Sequence, residues 1–141
     1  LAEYEKLSHE VSATEEALRK TLFGEDPRAE VLLGIYRGQP VGFAIFFHTY
    51  STFLGKPGLY IEDLYIVSEW RGRGFGSELV CYLAYLAVKR GCARMEWSVL
   101  DWNEQALKVY DLLGAEPMKD WTVQRLVGTR LHKLARSFKS D

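Results

Sequence analysis

Two short stretches of this chain hold residues whose types and spacing suit chemistry. The first is Arg71-Gly72-Arg73-Gly74-Phe75-Gly76-Ser77. Glycines let successive backbone N–H groups turn toward one point and keep side chains away from a bulky anion. A helix opening directly afterwards aims the partial positive charge of its N-terminus at the same spot. A diphosphate group fits that environment. The spacing rules out two other phosphate loops, because a dinucleotide turn needs G-x-G-x-x-G and a Walker loop needs G-x-x-x-x-G-K-[ST]. Here the glycines stand at 72, 74 and 76, and no Lys-Ser/Thr pair follows. A tight turn with incidental glycines would give the same letters. The second stretch is Ile61-Glu62-Asp63-Leu64, two carboxylates in an otherwise apolar run. On a regular strand adjacent side chains point to opposite faces. One acid there could partner an arginine or lie on an exposed edge; two together point to a site.

The elements that must position these residues can be read from pattern. Residues 1–7 look like a helix end. Thr14 is an N-cap ahead of Glu15, Glu16 and Ala17. Leu18 and Leu22 form the stripe of that helix, and Gly24 stops it before Pro27. Val31–Tyr36 and Val41–Phe47 are β-type runs separated by the hairpin signal Arg37-Gly38-Gln39-Pro40. Ser51–Gly58 reads as a loop, and Leu59–Val67 as a third strand that holds the two carboxylates. The glycine turn then feeds a helix in which Leu79, Leu83, Leu86 and Arg90 keep i, i+4, i+7 spacing. Met95–Val99 is a strand. Asn103 caps a helix with Ala106, Val109, Tyr110 and Leu113 on one face, ending at Gly114. Trp121–Val127 reads as a last strand and Thr129–Ser137 as a closing helix. The sum is one α/β (α+β) domain over 1–141, with a mixed, mostly antiparallel sheet flanked by helices. The chain opens at Leu1 without Met, on residues that read as the middle of a helix, so an earlier first strand is expected to be missing from it.

Composition narrows the partners. With 48% hydrophobic and 26% charged residues, the chain is that of a packed protein rather than a disordered one. Lys and Arg total 18 against 19 Asp and Glu, a net charge of −1, so there is no field for gripping nucleic acid or anionic membrane. Any anion must be held locally. No apolar run approaches the roughly 20 residues that span a bilayer. Neither Cys81 nor Cys92 has ligand spacing, and Cys81 falls inside an apolar helical pattern, which points to a buried reduced thiol and a cytoplasmic setting. His9, His48 and His132 show no metal spacing, so no metal is expected.

Arg71-x-x-Gly74-x-Gly76, after an apolar strand and before an amphipathic helix, resembles the R/Q-x-x-G-x-G/A signature of the GNAT acetyltransferases. The likeness extends from Tyr4-Glu5 through Tyr60-Ile61-Glu62-Asp63 and Trp102-Asn103-Glu104 to Tyr110 and Gly114-Ala115. Within that family it is closest to the diamine (spermidine/spermine) and thialysine acetyltransferases. The resemblance implies the GNAT fold and an enzyme that moves an acetyl group from acetyl-CoA to the primary amine of a small molecule, by direct attack in a ternary complex. It implies that amides of Arg71, Gly72, Arg73, Gly74, Phe75, Gly76 and Ser77 hold the pyrophosphate. Backbone groups of Leu64, Tyr65 and Ile66 would pair with the pantetheine arm, and Asn103 would hydrogen-bond the pantetheine or phosphate arm. Glu62 becomes the general base, and Asp63 a binding group for the cationic acceptor. Tyr110 becomes the general acid near the sulfur. Its alternative is a core aromatic with the hydroxyl at the rim.

Tyr4, Glu5, Phe53 and Trp121 match acceptor-pocket positions of the diamine branch, where aromatic walls and carboxylates suit an aliphatic cation. Plain packing explains each of them equally well. The loop Tyr50-Ser51-Thr52-Phe53 departs from the polyamine pattern, with Ser51 and Phe53 in place of an aspartate and a tryptophan. A shorter diamine or a lysine-like amino acid fits as well as a polyamine. Acetylation of a protein or peptide amine is the alternative, though the Phe53 loop and Trp121 suggest a pocket closed by aromatics. A non-catalytic acyl-CoA-binding module could dispense with Glu62 or Tyr110, and both are present. The branch implies a homodimer.

Overall fold

The computed structural model describes residues 1–139. Contacts within the chain group it into two units, Leu1–Val109 and Tyr110–Asp141.

The first unit opens on a turn. Lys6 has φ 61°, and the paired bonds Leu7 N–H to Ala2 O (2.8 Å) and Lys6 N–H to Glu3 O (3.1 Å) have the geometry with which helices terminate. Helix α1 is Glu15–Phe23, and the Thr14 side chain accepts from the Ala17 N–H at 3.1 Å, the cap read from sequence. Four strands follow: β1 Glu30–Tyr36, β2 Gln39–Ser51, β3 Lys56–Ile66 and β4 Arg94–Trp97, in the spatial order β1-β2-β3-β4. The first three pair antiparallel and β4 pairs parallel to β3, so the sheet is mixed and mostly antiparallel. A parallel pair needs a crossover, and helix α2, Phe75–Lys89, supplies it.

Two turns are tighter than the sequence suggests. The first hairpin loop is only Arg37-Gly38, with φ 49° and 78°, so Gln39 and Pro40 join β2. The second is four residues, Thr52–Gly55, because the buried Ser51 closes it: its Oγ accepts from Leu54 N–H at 3.2 Å and its carbonyl from Gly55 N–H at 2.8 Å. Lys56–Gly58, expected in a loop, thus extend β3.

The core lies between α2 and one face of the sheet. Ala44, Phe46, Leu59, Ile61, Leu83 and Ala87 are buried together, with Leu32, Leu64, Leu86, Met95 and Trp97 packed against them. Leu79, Val80, Leu83 and Ala87 form the inward stripe of α2. Cys81 falls off that stripe and is exposed, contrary to the buried thiol expected of it. At the far end of α2, Arg90 makes a fork on Glu30 at the start of β1, with bonds of 2.6 and 2.9 Å and His48 alongside at 3.4 Å. The bonded guanidinium holds the Glu30 carboxyl below the usual range.

Helix α3, Glu104–Leu112, begins in the first unit and continues into the second. In the second unit the chain turns at Gly114, where Ala115 N–H bonds Tyr110 O at 3.0 Å, and α4 occupies Gly128–Arg136. The strand expected over Trp121–Val127 does not form. Its alternation breaks at Gln124-Arg125, and β-prone residues make a strand only when another strand pairs with them. Among the described residues no helix is long and apolar enough to cross a membrane.

Leu83 is fully buried while Val88, on the same helix, is 77% exposed. Leu83→Ala is therefore expected to lower unfolding stability by about 3 kcal/mol in urea titration, and Val88→Ala to change it by less than about 0.5 kcal/mol.

Candidate active site

The site begins where β3 loses a neighbour. β4 pairs with Gly58–Ile61 and no further, whereas β2 stays paired as far as Ile66. Beyond Ile61, no strand among the described residues covers the β4 side of β3. Val67 N–H bonds Val41 O on β2 at 2.9 Å. Backbone groups alternate sides along a strand, so the N–H and C=O of Leu64 and Ile66 face the uncovered side. These groups form a short free edge leading toward the glycine turn. Just past the end of β4, the Tyr60 hydroxyl meets Ser98 Oγ at 2.8 Å.

At the same point β3 carries a bulge. Ile45 lies opposite Asp63 and Phe46 opposite Ile61, which leaves Glu62 as the extra residue. The bulge corrects the expectation that Glu62 and Asp63 point apart. Leu59 and Ile61 face the core, and after the extra residue it is Leu64 that packs there. Glu62 and Asp63 therefore share the other face, with the cross-strand contacts Phe43–Tyr65 (5.8 Å) and Phe47–Tyr60 (5.2 Å). Glu62 is exposed and Asp63 half-buried. Burial pushes the Asp63 carboxyl above its ordinary range, and the negative charges of Glu62 and then Glu5 push the same way. The first turn of the chain thus brings a third carboxylate to the pair.

The glycine turn lies beyond the 3₁₀ turn Ser68–Trp70. Gly72 and Gly74 have φ 77° and 85°, and Gly74 caps α2 in the left-handed conformation, which a side chain would strain. The first helical bond runs from Glu78 N–H to Gly74 O at 3.0 Å. No side chain caps α2, so the amides of Phe75, Gly76 and Ser77 open outward. A Cβ on Gly76 would meet only Ile66 Cγ1, at 3.8 Å. Tyr36, Trp70 and Phe75 brace the turn from below, with ring centroids 5.1–6.1 Å apart. Arg73 lies over Trp70 at 4.8 Å, and Tyr36, Arg73, Gly74, Phe75 and Glu78 line an open depression at the helix start. Sequence reasoning missed Tyr36 and Trp70, whose only signal is a bulky aromatic one residue before each turn.

Arg71 and Asn103, expected at the cofactor, are both engaged with Tyr4. Arg71 Nε donates to Ile66 O at 2.9 Å, and its guanidinium lies 4.9 Å over the Tyr4 ring and 5.2 Å over Tyr65. Asn103 caps α3 through Oδ1, which accepts from Ala106 N–H at 3.3 Å. Its Nδ2 donates to the Tyr4 hydroxyl at 3.2 Å.

Residues 1–115 match the model of the Acetyltransferase (GNAT) family. The chain belongs to that family. It is 38% identical to the thialysine N-epsilon-acetyltransferase of Bos taurus, over 96% of this chain and 85% of that one. It is 41% identical to the L-ornithine N5-acetyltransferase of Arabidopsis thaliana, over 78% of this chain and 49% of that one. Among solved structures, an integron cassette protein from the mobile metagenome of V. cholerae superposes with a TM-score of 0.81 at 27% identity, covering 94% of this chain and 85% of that one. The fold and the enzyme class expected from sequence, a GNAT N-acetyltransferase, are those found.

The structure of this GNAT enzyme gathers Tyr4, Glu5, Glu62, Asp63, Arg71 and Asn103, with the edge of Leu64–Ile66 and the turn of Gly72–Ser77 close in sequence. It does not bring Phe53 to them. Phe53 is 99% exposed in the β2–β3 turn, beyond Ser51, which itself lies six residues along β2 from Ile45, the partner of Asp63, or roughly 20 Å on an extended strand. Tyr110 and Trp121 belong to the second unit, where Tyr110 is half-buried and Trp121 is 77% exposed.

The raised Asp63 carboxyl has a consequence for stability. The folded state holds that proton more tightly than the unfolded chain, so Asp63's contribution is intact below the ordinary aspartate range, about pH 4, and is lost as pH rises through the folded value. Asp63→Asn is expected to match wild type in urea unfolding below about pH 4 and to exceed it increasingly toward neutral pH. A wild-type advantage at pH 7 would contradict the burial and repulsion described.

Proposed function

We propose that the protein transfers an acetyl group from acetyl-CoA to the primary amine of a small acceptor, a diamine, polyamine or lysine-like amino acid. The observation that carries this reading is the fork at Glu62, where a carboxylate bulge, a free strand edge and a run of open helix-N-terminal amides follow one another within the 16 residues from Ile61 to Gly76. The amides of Gly72–Ser77 would hold the pyrophosphate, and Leu64 and Ile66 would pair with the pantetheine amides as an added strand. Asp63 and Glu5 would bind the cationic acceptor, while Glu62, the more exposed acid, takes the ammonium proton. The freed amine then attacks the thioester carbonyl carbon; the N–C bond forms as the C–S bond breaks. The nitrogen gives up its second proton to solvent as the amide forms, while Tyr110 protonates the departing sulfur and recovers its own proton from solvent. No acetyl-enzyme forms, so both substrates must be bound together.

The relatives named for thialysine and ornithine support a short acceptor bearing a second charged group, and Asp63 with Glu5 suits that second charge. Phe53, exposed as it is, does not wall off a pocket, which favours testing peptide amines as a second reading. Membership of this branch supports a homodimer, which light scattering of the purified protein reads directly.

Acetyl-CoA consumption should be fastest with thialysine, ornithine, lysine or a short diamine, and slower with spermidine and with lysine peptides. Turnover confined to peptides would replace the small-molecule reading. Glu62→Gln should lower kcat by roughly 10²-fold or more, and Tyr110→Phe by a similar order. Gly74→Ala should cost about 1 kcal/mol of stability and weaken coenzyme A binding in calorimetry. Gly76→Ala, which has room for its methyl group, should stabilise by about 0.5–1 kcal/mol and leave that binding intact.

A further inference from the structure

Tyr4 stands where two lines of contact meet. Its hydroxyl accepts from Asn103 Nδ2 at 3.2 Å, and its ring lies 4.9 Å beneath the Arg71 guanidinium. Arg71 is itself tied to Ile66 O at 2.9 Å and to the Tyr65 ring at 5.2 Å. Two residues further on, Lys6 Nζ lies over the Trp102 ring at 4.6 Å. Between Tyr4 and Lys6 comes Glu5, whose charge is felt at Asp63. The turn itself is closed by the bonds Glu5 N–H to Leu1 O, Lys6 N–H to Glu3 O and Leu7 N–H to Ala2 O. These attachments of the turn to the rest of its unit are ring contacts and a hydrogen bond between partly exposed groups, which are weak ties, and two of them meet on one phenol.

The two residues that tie down Tyr4 are those that resemblance places at the cofactor, Arg71 there through its main-chain amide. An arginine with Nε on a strand carbonyl and two aromatic rings 4.9 and 5.2 Å from its guanidinium is held in place along its length. The phosphate-facing groups of the turn are backbone amides, which need nothing from that side chain.

We propose that Tyr4 is a positioning residue for the acceptor site: the Arg71–Tyr4–Asn103 clasp latches the N-terminal turn to β3 so that Glu5 stands beside Asp63 and Glu62. The Arg71 side chain serves this clasp, and the cofactor's phosphates rely on the turn's main chain. The inference rests on the acetyl-transfer reading for its substrate side, and on contacts alone for its structural side.

The test is a set of variants read three ways. Tyr4→Leu should raise KM for the amine by about tenfold or more while the Kd for coenzyme A stays within about twofold; Tyr4→Phe, which keeps the ring under Arg71, should fall between. Arg71→Gln should behave like Tyr4→Leu, and a tenfold loss of coenzyme A affinity would return Arg71 to the phosphates and overturn the inference. Because Tyr4 acts through Glu5, Tyr4→Leu combined with Glu5→Gln should be no worse for the amine than either alone. Independent, multiplying losses would sink it. Hydrogen exchange needs no turnover: in Tyr4→Leu the amides of Glu5, Lys6 and Leu7 should lose protection while those of α2 keep theirs. Unchanged protection of the turn would overturn the clasp outright. If wild type acetylates no amine at all, the functional reading fails and the exchange result still judges the clasp.

Discussion

The organisation of this molecule depends on one strand having two hydrogen-bonded neighbours along part of its length and one along the rest. β3 is sandwiched between β2 and β4 as far as Ile61 and is then left to β2 alone. An uncovered strand edge is ordinarily a liability, since its N–H and C=O groups will pair with whatever strand-like backbone arrives. Here the free stretch is short and ends at Ile66, whose carbonyl is already partly occupied by Arg71 Nε. That leaves room for a few amide bonds to an extended, amide-bearing arm and too little for edge-to-edge assembly. The bulge belongs to the same event. Inserting Glu62 as β4 departs increases the local twist and changes which residues of β3 face inward.

The electrostatics follow from that geometry. With a net charge of −1, the protein as a whole neither attracts nor repels an anion strongly. Anion affinity must therefore come from fixed dipoles, and the uncapped start of α2 concentrates them. The carboxylates lie on the other branch of the fork, where Glu62 and Glu5 raise the cost of ionising Asp63. Clustering Glu5, Glu62 and Asp63 sacrifices stability at neutral pH and creates a place where an ammonium ion would relieve the repulsion. The two branches then attract opposite ends of one reaction, a phosphate tail and a cation.

Much of this was legible in the letters, for reasons that differ by residue. Thr14 and Asn103 act as caps because short polar side chains before a helical pattern have few better partners than the first free amides. The glycine turn was legible because a left-handed residue at a helix start demands what Gly74 provides. The bulge was not, since it is a property of two strands in register and neither strand alone encodes it. Treating β3 as regular sent Glu62 and Asp63 to opposite faces; pairing with β2 puts them on one. Trp121–Val127 fails for the related reason that composition records willingness to pair and not the presence of a partner. The exposure of Cys81 escapes the pattern because the apolar run in α2 is wider than its buried stripe.

The parts of the site also differ in how firmly they are held. Carboxylate bulge, free edge and phosphate turn lie on one continuous segment, stiffened by the β2 ladder on one side and by the Tyr36–Trp70–Phe75 cluster at its end. The bulge and the edge cannot move apart without breaking β3, and the aromatic cluster packs against the turn that follows. Glu5 and Asn103 come from elsewhere in the chain and reach the fork through single hydrogen bonds and ring contacts. Chemistry that tolerates little misplacement benefits from the first arrangement, since misplacement by about 1 Å can cost two orders of magnitude in rate. Selection of the acceptor needs only a difference in binding between similar amines, and a latched turn can supply that difference by changing a few contacts. A fold built this way can keep its transfer machinery fixed while the amine it accepts is reset at the turn.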